Sequence, residues 1–170
     1  MKYMIVSASL LGLLASPAQA QLQAVSDLSL NAAQKLSTAA MAACEAKGRQ
    51  IVVTVLDRGG NIVSVQRADG VGPHNTEASR RKAYTALSTR TDTQTLATNA
   101  RANPDAANLT TLPELLLLGG GLPLTARGHI VGAIGVAGGG GALHDRACAQ
   151  AAIAAVPELD PVLPPTKETP

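Results

Sequence analysis

Two short segments near the first third of the chain carry the clearest pattern. Ile51 to Asp57 is an almost unbroken apolar run, and Ile62 to Arg67 alternates apolar with polar residues. Both read as β-strands, and Arg58-Gly59-Gly60-Asn61 between them is a hairpin signal. Ahead of them Leu30, Ala33, Leu36, Ala40 and Ala43 keep helical spacing within Ser29 to Lys47. Ser29 is the expected N-cap and Gly48 the residue that ends that helix. After the hairpin, Asp69 to Pro73 reads as a loop. A helix capped by Asn75 or Thr76 then runs to about Thr89, with Glu77 in its favourable first turn. A shorter helix is expected over Thr93 to Ala102, and Asn103 to Thr111 reads as polar loop.

The second half predicts three more strands. Leu115 to Leu118 is bounded by Gly119-Gly120-Gly121, Leu122 to Ala126 follows, and His129 to Ala137 comes after an Arg127-Gly128 turn. Gly138 to Gly141 is a four-glycine loop, and Ala142 to Val156 a closing helix with Asp145 in its first turn. Strands and helices do not alternate, which argues against a parallel doubly wound sheet. The expected class is α+β, a five-stranded antiparallel sheet flanked by helices.

The chain ends change the picture. Lys2, the apolar run Ile5 to Ala15 and the Ala18-Gln19-Ala20 site form a secretory signal pattern over residues 1–20. Cleavage after Ala20 would leave Gln21 first, in a bacterial periplasm. Residues 21–156 are expected to form one domain, and residues 157–170, with five prolines in fourteen residues, an extended tail. No run is long enough to predict a membrane span.

Composition excludes some functions. Removing Lys2 takes Lys+Arg from 14 to 13 against 12 Asp+Glu, a charge of +1 with no field to draw nucleic acid. Trp and Phe are absent, and with Tyr3 in the signal segment Tyr84 is the remaining aromatic. Base-stacking platforms need several aromatics. The two cysteines, Cys44 and Cys148, fall in the first and last helices without CxxC spacing. An oxidising compartment favours a disulfide between them, and two separate buried thiols are the other reading.

Several segments together resemble one family. They are VTVLDRGGNIVSVQRADG at Val53 to Gly70, Lys82-Ala83-Tyr84-Thr85-Ala86, GGGLPL at Gly119 to Leu124, and VGAIGVAGGGG at Val131 to Gly141 followed by Asp145. In that order they resemble the HbpS/GlcG-like family of small haem-binding proteins, also called haem-degrading domains, over about Leu28 to Val156. The resemblance implies a profilin-like or PAS-like α+β fold and homo-oligomers. It does not carry a shared iron ligand onto His74.

The candidate site is read from residue chemistry. His74 follows Gly72-Pro73 beside a helix start, where a neutral imidazole can ligate haem iron or hydrogen-bond within its loop. Arg80, Arg81 and Lys82 cannot all face one site; Arg81 or Lys82 is expected to point inward, toward propionates or a small carboxylate. Tyr84 offers a phenolate ligand or general acid, but a packed ring is the favoured reading. Gly139 and Gly140, with Asp145, form either an anion-binding loop or a tight strand-to-helix crossing. His129 and His144 show no metal-ligand spacing.

These residues predict an exported haem-binding protein for transport, storage or sensing, with a pocket between Asp69–His74, the following helix and the glycine loop. The competing reading is an enzyme or binder for a small carboxylate or oxidised catabolic metabolite, held by Arg81 and the glycine loop, with His74 as acid/base. A purely structural oligomer subunit is a third class.

Overall fold

A computed structural model describes residues 23–162 of the chain. The expected signal segment and residues 163–170 of the expected tail lie outside the described residues. Helix α1 is Leu30–Glu45, and the Ser29 side chain accepts a hydrogen bond from the Ala32 N–H at 3.2 Å, as its capping role requires. Strands β1 (Val52–Asp57) and β2 (Ile62–Arg67) form the hairpin, and the Asp57 carboxylate accepts from the Asn61 N–H at 2.8 Å in its turn. Helix α2 is His74–Thr89, α3 is Thr93–Ala102, and the short α4 is Pro104–Ala107. Strands β3 (Gly121–Ala126) and β4 (His129–Ala137) form a second hairpin, and α5 (Ala142–Ala154) follows.

The sheet has four strands in the order β2-β1-β4-β3, every neighbour antiparallel. The fifth strand expected at Leu115 to Leu118 does not form. Its backbone polar groups are satisfied by side chains instead of a ladder. The Leu116 N–H donates to Thr85 Oγ1 at 2.8 Å, the Leu118 carbonyl accepts from Thr93 Oγ1 at 2.9 Å, and the Leu115 carbonyl accepts from Arg81. A segment with its groups so paired needs no strand neighbour.

Helices α1 and α5 cover one face of the sheet. Ala33, Leu36, Ala40 and Cys148 pack there on Val53, Val55, Leu122 and Ile134. Helix α2 covers the other face, where Ala83 and Ala86 meet Leu56 and Ala133, and Ser79 Oγ lies 2.7 Å from Thr54 Oγ1. That helix sits unusually close. A Cβ on Gly135 would lie 2.0 Å from the Ser79 carbonyl oxygen, and one on Gly121 only 2.2 Å from that of Lys82. Gly121 and Gly135 are register partners on β3 and β4, so together they make a flat patch on which the α2 backbone rests.

Cys44 and Cys148 are joined by a disulfide between α1 and α5, with Cα atoms 5.6 Å apart. Both cysteines are fully buried. The expected tail is partly fastened to the domain. Leu159 and Val162 pack against the core, and the Asp160 carboxylate accepts from the Arg127 and Gly128 N–H groups at 3.0 and 2.8 Å. The Gly128 N–H foremost, against a smaller effect of desolvation, holds the Asp160 carboxyl below the usual carboxylate range.

Candidate functional site

The two ends of α2 open on two different clefts. At its N-terminal end a cleft of about 590 Å³ lies between the C-terminus of α1, the start of β1, the Gly70–Asn75 segment and the glycine loop after β4. Six of its eleven lining residues are glycines: Gly48, Gly70, Gly72, Gly138, Gly139 and Gly140. Gly138 and Gly140 hold φ of +100° and +83°, a left-handed region that favours glycine. A Cβ on Gly138 would press on the Val71 side chain and the Gln50 carbonyl, at 3.1 and 3.2 Å. Much of the cleft's wall is therefore backbone, with the Glu45, Arg49, Gln50, Val71 and Asn75 side chains completing it.

His74 is exposed and is the first residue of α2 rather than part of the preceding loop; it does not itself line the cleft, but Gly72 and Asn75 on either side of it do. Its ring lies against Gly72, with Cε1 3.1 Å from where a Cβ on that glycine would be. Its neighbour Asn75 lines the cleft and donates from Nδ2 to the Gly72 carbonyl at 3.1 Å. Among the described residues no group of three or more His, Cys, Asp or Glu could hold a metal ion. A metal at His74 would thus have to bring its other ligands with it.

The basic cluster on α2 is committed elsewhere. Arg80 pairs with Glu77 and Glu114 at 2.7 and 2.8 Å, and its hydrogen bond holds the Glu77 carboxyl below the usual range. Arg81 donates to the Leu115 carbonyl, while its Nε is buried without a partner among the described residues. Lys82 does point inward, but not into a cleft. Its ammonium donates to Asp145 Oδ2 at 2.7 Å and to the Val136 carbonyl at 3.0 Å, with 1% of the residue exposed.

Asp145 completes that arrangement. Its other oxygen, Oδ1, accepts from the Gly139 N–H at 2.7 Å. The Gly139 N–H is thereby committed to Asp145 rather than free for a ligand. The tight crossing is the structure observed. Lys82 reaches α5 beside the start of β3, where Gly120 leaves room: a Cβ there would lie 2.8 Å from Asp145 Cβ and 3.1 Å from Lys82 Nζ. Lys82 and Asp145 hold the site's walls together. Tyr84 is half-buried at the other end of α2, beside Gly60 and Leu87, away from this cleft.

Arg49 is the functional candidate that the sequence pattern does not single out. It lines the cleft, donates from Nη1 to the Gly139 carbonyl, and its Nη2 lies 3.1 Å from His144 Nε2. His144, exposed on the first turn of α5, is thereby tied to the cleft's edge. The only signal for Arg49 in the sequence was its place next to the helix-ending Gly48.

Comparison with known proteins agrees with this architecture. The chain matches the family model described as haem degrading protein HbpS-like over residues 28–154. It is 33% identical over 139 residues to an uncharacterized 15.0 kDa protein from the dhaT-dhaS intergenic region of Citrobacter freundii, covering 81% of this chain and 97% of that one. It is similar to the crystal structure of a HbpS double mutant of Streptomyces reticuli, with 39% identity, TM-score 0.74, and coverage of 82% of this chain and 96% of that one. It is also similar to the crystal structure of a PduOC:heme complex, with 26% identity, TM-score 0.71, and coverage of 79% and 97%. The antiparallel sheet sandwiched between α2 and the α1–α5 pair, the glycine positions that permit it and these matches place the chain in the HbpS-like family.

Proposed function

We propose that this protein binds haem in the glycine-walled cleft, with His74 as an iron ligand, as an exported carrier, store or sensor. The observation that carries this reading is an exposed imidazole packed on Gly72, a lining residue of a glycine-rich cleft that Arg49 also lines. A porphyrin is flat and needs close approach over its face, which side chains at Gly138 or Gly140 would block. The fit therefore rests on the glycine cradle. Arg49 would pair with a propionate, and the Gln50 and Asn75 amides lie within the same lining. When bound, haem would supply a redox-active iron. His74 would be the residue to hold the iron, and Val71 would offer an apolar contact from the cleft's lining.

Hemin titration tests this. The parent chain should give a saturable Soret band at about one haem per chain. His74→Ala should shift that band and weaken binding by about tenfold or more, while Tyr84→Leu should leave both unchanged. An unaltered spectrum and affinity in His74→Ala would move the ligand elsewhere and reject the proposal.

Export makes a separate expectation. Protein recovered from the native cell should begin at Gln21 by intact mass, because the small-residue site ends at Ala20. A chain that retains Met1 there would rule out processing.

A further inference from the structure

The second cleft, at the C-terminal end of α2, has about 720 Å³ and is not used by the haem reading. Its walls come from the β1–β2 turn with Arg58, the last turns of α2 with Tyr84, Leu87 and Arg90, and the start of β4 with His129 and Ile130. No Asp or Glu lines it. Arg58 uses its backbone N–H, which donates to Asp27 Oδ1 at 2.9 Å. Among the described residues neither the Arg58 nor the Arg90 guanidinium has an acid or carbonyl partner; the same is true of Arg101 and Arg127, which do not line this cleft, whereas Arg49, Arg67, Arg80, Arg81 and Arg146 are paired. Arg90 also holds φ of +53° at the end of α2, a position where glycine is the commoner residue. Two unpaired cations thus border a cleft whose remaining surface includes two aliphatic side chains and a tyrosine ring.

We infer that this cleft is a second ligand site, for a small aliphatic dicarboxylate. Each guanidinium would take a carboxylate, which its planar fork matches better than a point charge does. Leu87, Ile130 and the Tyr84 ring would cover the methylenes between them, a contact that phosphate or sulfate lacks. The nearby acids do not compete for the arginines. Asp57 is occupied by Asn61, and Asp160 by the Arg127 and Gly128 N–H groups while facing the His129 ring. The C-terminal carbonyls of α2 oppose an anion at this end. Two cations are therefore needed here where one would suffice at a helix start. This site is independent of the haem cleft, since the two open at opposite ends of α2.

Tyrosine fluorescence reads it directly, because Tyr3 and Tyr84 are the chain's two aromatic residues and Tyr84 lines the cleft. Glutarate should change the emission saturably, the neutral glutaramide should not, and inorganic phosphate should bind more weakly than glutarate. Arg90→Gly and Arg58→Gln should each weaken glutarate binding by about fivefold or more. The glycine variant is suited to its backbone conformation, so it should fold as the parent does. His74→Ala should bind glutarate like the parent whatever it does to haem. Absence of a saturable change, parental binding in both arginine variants, phosphate binding as tightly as glutarate, or loss of glutarate in His74→Ala would each overturn the second site.

Discussion

Asp145→Ala should lower the unfolding free energy by about 3–5 kcal/mol, a large fraction of what a domain of this size has. The substitution strands the Lys82 ammonium in a place where the residue is 1% exposed, and it also removes the acceptor of the Gly139 N–H. The cost comes mostly from an unpaired buried charge, not from the worth of the pair itself. Replacing both partners separates these terms. Lys82→Met with Asp145→Leu should recover much of the loss, because an apolar pair of similar volume leaves no charge behind. Urea unfolding followed by circular dichroism measures both. A single variant within about 1 kcal/mol of the parent would show that water reaches Lys82 and that the pair is not the fastening described here.

Loss of the disulfide should come next in size. Cys44 and Cys148 are 104 positions apart, so the bond constrains most of the unfolded chain, and removing it through paired Cys→Ser changes should cost about 2–4 kcal/mol. Both sulfurs are buried beneath α1 and α5, and a Cβ on Gly139 would touch Cys44 Sγ at 3.5 Å. A thiol reductant should therefore act on the folded protein only at the rate of its opening. The check is thiol labelling in dithiothreitol with and without urea. Rapid labelling of both cysteines without urea would contradict this burial.

Regular elements were legible where their causes are local. The strand Ile62–Arg67, the strand His129–Ala137 and the helix Thr93–Ala102 have the bounds their patterns predict, because period, turn glycines and caps lie within a few residues of one another. Leu115 to Leu118 misled because four consecutive leucines carry no period. What satisfies their backbone is Arg81, Thr85 and Thr93, about thirty residues earlier in the chain. The site was less legible for the same reason. The pattern points Arg81 or Lys82 inward toward a ligand; Lys82 is the buried one, and only the fold reveals that its partner is Asp145, 63 residues later. Arg49 carried no signal beyond its place after Gly48, since its contacts come from the distant glycine loop.

The strand order has a consequence in time. β1 lies at the centre of the sheet beside β4, with Val52 opposite Ala137 and Asp57 opposite Gly132. A growing chain carries β1 for some eighty residues of synthesis before its inner neighbour exists, and Cys44 waits longer still for Cys148. Pairings so distant in sequence form slowly. The centre of the sheet therefore closes only after β4 has been made, and the α1–α5 disulfide only after α5, so the last third of the chain completes both the sheet and its covalent clasp.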